Sequence, residues 1–180
     1  VVSNVFSKSV SVVPPGASSV SGTVTVGDEP EGVAVSSSGL VYVANNASAS
    51  ISVVDPRTMS EVTRIPVGTR PKDVALTSDG TVYVTNSYDR NVSVIDPGST
   101  RVNRAVAVGE CPADVEVGPG DVIYVGLACG TDKVAVMLAG ASAPAFTVNV
   151  PGSPNGIAAS PDGSVFMSAN YSYDVQLYRW

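Results

Sequence analysis

The chain has 180 residues, 14% of them charged, with a formal net charge of −6, a pI near 4.4 and no histidine. An acidic surface repels a phosphate backbone, and a chain without histidine lacks the commonest general base, the commonest metal ligand and every Ser-His or Cys-His pair. Nucleic acid, a bound metal or cofactor, and catalytic residues are therefore not expected. No apolar run approaches the about 18 residues that a membrane helix needs, so no membrane insertion is expected. The N-terminus has neither an initiator Met nor a charged n-region, as expected of a mature or trimmed segment.

Taken in order, residues 1–27 contain three strand-like runs, Val2 to Asn4, Ser9 to Val13 and Thr23 to Gly27. The next stretch, residues 28–68, is matched at a fixed offset by residues 69–109, so that Val41-Tyr42-Val43-Ala44-Asn45 falls on Val82-Tyr83-Val84-Thr85-Asn86 and Asp55-Pro56 falls on Asp96-Pro97. Residues 110–152 repeat the unit with small insertions, and residues 153–180 supply the beginning of another. Within residues 69–109, Val74 to Leu76, Val82 to Thr85, Val92 to Ile95 and Val106 to Val108 are β-branched runs separated by turn-forming residues. A four-stranded antiparallel unit of about 40 residues, repeated at one period, is the size of a β-propeller blade. The chain reads as a single all-β propeller domain with three full blades and two partial ones. Many small blade-to-blade cores are expected in place of one large core.

The motif Val82-Tyr83-Val84-Thr85-Asn86, with its close copy from Val41 to Asn45, resembles the YVTN-repeat β-propellers over nearly the whole chain. The resemblance implies a scaffold that occurs in surface-layer and other cell-surface proteins. Related lactonase and lyase propellers work with metal-bound carboxylates or loop-face histidines, and no such set carries over to this chain.

The strand count is about 18, or four and a half blades, which leaves closure open. Thr23 to Val26 is the type of strand missing after Trp180; it either closes a four-bladed ring or stays in a fifth, three-stranded blade. A third route is completion by another chain through strand addition, with self-association into a head-to-tail oligomer or filament.

Cys111 and Cys129 are equidistant from Gly120, the centre of a hairpin, and antiparallel partners lie about 4.5 to 5.5 Å apart. A disulfide is expected, and with it an oxidising compartment, secreted or at the cell surface.

Connections from strand 4 to the next strand 1, and from strand 2 to strand 3, share one face of a propeller. That loop face is the candidate binding face, carrying Arg70, Lys72, Asp73, Tyr88 and Arg90, with Asp114 among its other charges. Glu116 stands where Ala34, Ala75 and Ala158 occupy the innermost strand, so it is a candidate functional carboxylate or one that reaches channel water. The Asp-Gly and Asp-Pro pairs read as turn formers, and Asn4, Asn45 and Asn86 as loop-closing amides, replaced by Leu127 and Ala169 later. Asn46, Asn91 and Asn170 fit the glycosylation pattern.

These features point to a non-catalytic extracellular propeller acting as a structural or interaction module. The alternatives are a fragment of a longer lactonase- or lyase-like enzyme and a propeller that senses a small solute over its channel.

Overall fold

The structure, a computed structural model, describes residues 1–130, 132–150, 152–169 and 175–179. Among these residues, eighteen strands form five antiparallel sheets, each a meander in which successive strands are neighbours. Blade 1 contains β1 (Val2–Asn4), β2 (Ser9–Val12) and β3 (Gly22–Thr25). Blade 2 contains β4 (Pro30–Val35), β5 (Val41–Asn45), β6 (Ser50–Asp55) and β7 (Ser60–Pro66). Blade 3 contains β8 (Pro71–Leu76), β9 (Val82–Asn86), β10 (Asn91–Ile95) and β11 (Arg104–Ala107). Blade 4 contains β12 (Pro112–Gly118), β13 (Val122–Leu127), β14 (Lys133–Leu138) and β15 (Phe146–Asn149), and blade 5 contains β16 (Pro154–Ala159), β17 (Ser164–Ala169) and β18 (Val175–Arg179).

Middle strands of the central blades are covered by neighbouring blades on both faces, which is why β9 is buried along its whole length, its polar Thr85 and Asn86 included. Outer strands alternate instead, as in β7, because one face meets water. The apolar residues sort into four clusters, one between each pair of adjacent blades. Blades 2 and 3 meet through Ile51, Val53 and Ile65 against Val74, Val84 and Ile95. Blades 3 and 4 meet through Val92, Val94 and Val106 against Ile123, Val125 and Met137. The expected stack of small cores is present.

The structure takes the five-sheet alternative. β3 is hydrogen-bonded to β2 in its own sheet, with Val10 opposite Val24, and does not complete the last blade. Val10, Val24 and Val26 pack on Val41, Val43 and Val54 of blade 2, so removing β3 to the other end of the array would uncover that core. The segment Val1 to Val13, which a closed four-bladed ring would leave over, instead supplies β1 and β2 of blade 1, and Val10 has no solvent exposure.

Candidate functional site

The innermost strands β4, β8, β12 and β16 border a cavity of about 300 Å³ at the channel, lined by residues that include Ala34, Asp73, Ala75, Asp114, Glu116 and Ile157. An innermost strand pairs on one side only, so its axis-facing N–H groups need other acceptors. Three carboxylates supply them, each reaching forward to the next blade. Asp73 Oδ2 accepts from Val115 N–H at 3.1 Å, Asp114 Oδ2 accepts from Ile157 N–H, and Glu116 Oε1 accepts from Ala159 N–H at 3.3 Å. Blade 2 has Gly32 at the position of Asp73, because a Cβ there would collide with the Asp73 carboxylate and main chain.

The carboxylates also act on one another. Burial raises the Asp114 carboxyl to about 8, reinforced by its hydrogen bond to Asp73 and by that group's charge. Burial likewise raises Glu116, against the Ala159 N–H that favours its charged form. Glu116 is the exception that the sequence marks, and its departure from Ala is explained by the backbone group it caps. Sequence reasoning puts Asp114 on the polar face but leaves it out of the candidate binding residues. A signal for it exists: Asp73 and Asp114 occupy a repeat position where blades 2 and 5 have Gly32 and Gly156.

The other candidate residues on the loop face are joined across blade boundaries. Arg70 Nη1 lies 3.1 Å from Glu29 Oε2 and donates to Asn46 Oδ1 at 2.7 Å, while its guanidinium sits 5.9 Å from the centre of the Tyr88 ring. Lys72 Nζ is 2.9 Å from Glu31, and Arg90 Nη1 is 3.2 Å from Glu110. Glu29 and Arg70 hold the same repeat position in neighbouring blades, as do Glu31 and Lys72, so a charge reversal from one unit to the next creates each pair. These pairs are well exposed, and each contributes at most about 1 kcal/mol.

Asn46 is buried, and its Nδ2, the atom that would carry a glycan, donates to Pro71 O at 3.1 Å. Ser87 makes the same kind of tie to Pro112 O at 2.8 Å. Asn91 is half-buried and accepts from Asn86, whereas Asn170 lies outside the described residues. The folded chain therefore does not present Asn46 for glycosylation.

The repeated asparagine ends strand 2 by binding strand 3. Asn45 Nδ2 donates to Ser50 Oγ and Ser52 Oγ at 3.1 and 2.8 Å, and Asn86 Nδ2 reaches Asn91 and Ser93, both at 2.8 Å. Asn45 Oδ1 accepts from Gly27 N–H at 3.1 Å, and a side chain at Gly27 or Gly68 would strike the asparagine, with contacts of 2.6 Å. The closing of the loop onto its own backbone that the sequence suggests is corrected here: the asparagines bind strand 3 side chains instead, and Asn45 also the Gly27 N–H of the preceding connection. In the Ser-Asp-Gly turn Asp79 Oδ1 accepts from Thr77 Oγ1 at 2.7 Å and from Thr81 N–H at 2.9 Å, while Ser78 N–H and Oγ donate to the Asp121 carboxylate of blade 4 at 2.8 and 2.6 Å.

Cys111 and Cys129 form a disulfide with their Cα atoms 5.4 Å apart. The expectation that they face each other in a regular ladder needs correction. A bulge between Pro112 and Asp114 shifts the register by one residue, so that Cys111 O accepts from Ala128 N–H at 3.0 Å, and both cysteines lie just beyond the ends of β12 and β13. Among the described residues, no three His, Cys, Asp or Glu side chains are arranged to hold a metal ion, and no helix is long and apolar enough to cross a membrane.

A family model for YNCE-like beta-propellers matches residues 11–135. The chain belongs to the YNCE-like beta-propeller family. This YNCE-like propeller is similar to Kuenenia stuttgartiensis hydrazine synthase, with 28% identity and a TM-score of 0.84 over 92% of this chain and 51% of that one. A functionally unknown protein from Desulfotomaculum acetoxidans gives 13% identity and a TM-score of 0.84, covering 97% of this chain and 60% of the other. Virginiamycin B lyase from Staphylococcus aureus gives 12% identity and 0.68, covering 88% and 59%. The last two share the fold alone. The chain thus spans between 51% and 60% of the length of these structures. No curated protein matches the chain.

Proposed function

We propose that this YNCE-like propeller is a non-catalytic extracellular module whose role is structural or to engage another protein. The observation that carries the reading is the use of its polar residues. Arg70, Lys72 and Arg90 pair with carboxylates of neighbouring blades, while Asp73, Asp114 and Glu116 cap main-chain N–H groups of the next blade. Groups already used to hold the scaffold are poorly suited to activating water for a reactant. The Cys111–Cys129 bridge supports a location outside the reducing cytosol.

An interaction role draws support from the outer part of blade 4. Leu138 and Phe146 are 57% and 51% exposed and border an apolar cleft of about 270 Å³ with Val122, Tyr124, Val136 and Ala145. Exposed apolar surface of this kind marks association sites more often than catalytic ones. Self-association through edge strands belongs to the same proposal, and a concentration series in analytical ultracentrifugation tests it.

A second reading, in which the chain is the propeller portion of a longer enzyme, is favoured by its 28% identity with hydrazine synthase across 92% of its length. Whether the native gene continues past Trp180 into further segments separates the two, and activity screening tests the channel carboxylates themselves. Purified residues 1–180 are expected to leave lactones and virginiamycin B intact; turnover abolished by substituting Asp73, Asp114 or Glu116 would replace the scaffold reading with the enzymatic one.

A further inference from the structure

Every joint between blades in this chain brings the same two surfaces together. The leading face of one blade, with Tyr42 and Ala44 in blade 2, meets the trailing face of the next, with Val84, Ile95 and Val102 in blade 3. Blade 3 turns its own leading face, with Tyr83 and Thr85, toward blade 4, and both residues are buried there. Among the described residues, apolar clusters join blades 1 to 2, 2 to 3, 3 to 4 and 4 to 5, and none joins blade 5 back to blade 1.

Blades 1 and 5 carry the same surfaces in the open. On the leading face of blade 5, Phe166 lies opposite Ala158 as Tyr83 lies opposite Ala75, and Ser168 follows as Thr85 does. Phe166 is 41% exposed, and it borders an open cleft of about 250 Å³ with Ile157, Ala158 and Ser168. On the trailing face of blade 1, Val2 lies opposite Ser11 as Val84 lies opposite Ser93, and the same offset sets Val13 and Val20 at the positions of Ile95 and Val102. Val84 and Ile95 are buried by blade 2, whereas Val2, Val13 and Val20 are 55%, 37% and 49% exposed.

On the reading of the chain as a self-associating module, we propose that the leading face of blade 5 in one copy stacks on the trailing face of blade 1 in a second copy. The contact reproduces between chains the joint that each chain makes within itself. A second copy is the fitting occupant because one molecule carries both halves, an aromatic leading face and a valine trailing face. None of Phe166, Ser168, Val2, Val13 and Val20 is charged, so stacking removes apolar surface from water without stranding an ion. Strand addition at a sheet edge would leave Phe166 and the three valines in water. The two surfaces differ, so the contact is heterologous and leaves one face of each kind free at the ends. With five sheets in each chain, two copies exceed the roughly four to eight blades of a closed ring, and growth continues as an open array.

Sedimentation of residues 1–180 and of two face variants tests the contact. F166D places a carboxylate on the leading face and V2D/V13D places two on the trailing face, and none of these residues belongs to a cluster between blades of one chain. Wild type is expected to form larger oligomers as its concentration rises, and each variant to associate at least about 10-fold more weakly. A mixture reads the mode: F166D keeps its trailing face and V2D/V13D its leading face, so the two together should form a dimer of one of each and grow no further. Should a variant fail to fold by circular dichroism, F166S and V2S/V13S take its place with the same outcomes expected. A wild type that stays monomeric at millimolar concentration overturns the proposal and leaves both faces to further blades or to another protein. Association that both variants retain undiminished also overturns it, while self-association itself survives through edge strands or the blade 4 cleft. A mixture that remains two separate monomers defeats the head-to-tail mode.

Discussion

Blades 3 and 4 secure the same joint with different chemistry. In blade 3 the turn entering strand 1 is held against the loop after strand 2 by Arg70 stacked on Tyr88, and Asn86 binds strand 3 beneath it. In blade 4 the corresponding repeat positions are Cys111, Cys129 and Leu127, so a covalent bond replaces the stack and an apolar side chain replaces the amide. The backbone is common to both: Arg70 and Cys111 have φ of 56° and 46°, each precedes a proline, and each carbonyl accepts an N–H from the opposite loop. Left-handed backbone at a residue other than glycine is costly and persists only where its surroundings hold it. The repeat keeps a strained geometry, and each blade holds it by its own means.

The largest test of this exchange is L127N. Leu127 is 3% exposed, and Lys133, its partner in register, and Ala135, two residues on, have no side-chain acceptor where blade 3 has Asn91 and Ser93. Burying the amide there is expected to cost about 4 kcal/mol, and adding A135S should recover about 1 kcal/mol. Denaturant unfolding reads both values; no recovery would mean that the asparagine and its hydroxyl partner do not act as a unit.

Next in size is removal of the bridge. C111S/C129S is expected to lose about 3 kcal/mol, since the disulfide closes a loop with a sequence separation of 18. Reduction of wild type in an otherwise identical unfolding series should give nearly the same loss. In blade 3, N86A removes one buried and one partly buried hydrogen bond and should cost about 2 kcal/mol. The smallest effect belongs to Y88A, about 0.5 kcal/mol, because Tyr88 is 74% exposed and the stack is open to solvent. A Y88A loss as large as that of the disulfide variant would break the comparison between the two blades.

Much of this is legible because each blade restates the last. The strand runs and the serine and aspartate turns follow from periodicity and local chemistry, and the structure retains them. Contacts between blades are harder to see, since they join residues one whole repeat apart. Glu29 and Arg70, or Glu31 and Lys72, look like separate surface charges until the same repeat positions are laid side by side. The bulge at Ala113 is hidden for another reason: it shifts one ladder by one residue while leaving the disulfide within reach. Nor does a sequence show that Asp73 reaches Val115 N–H or that Asp114 reaches Ile157 N–H, because those bonds depend on how close adjacent inner strands lie around the axis.

The central claim is that the channel carboxylates are committed to holding one blade to the next. Amide hydrogen exchange at Val115, Ile157 and Ala159, followed by NMR in wild type and in D73A, D114A and E116A, tests it most directly. These N–H groups face the axis, and their acceptors are Asp73, Asp114 and Glu116 respectively. The expected result is strong protection of all three in wild type, with each variant exposing the one amide that its carboxylate caps. Fast exchange of these amides in wild type, at the rate of open loop groups, would contradict the claim and leave the three carboxylates free for another task.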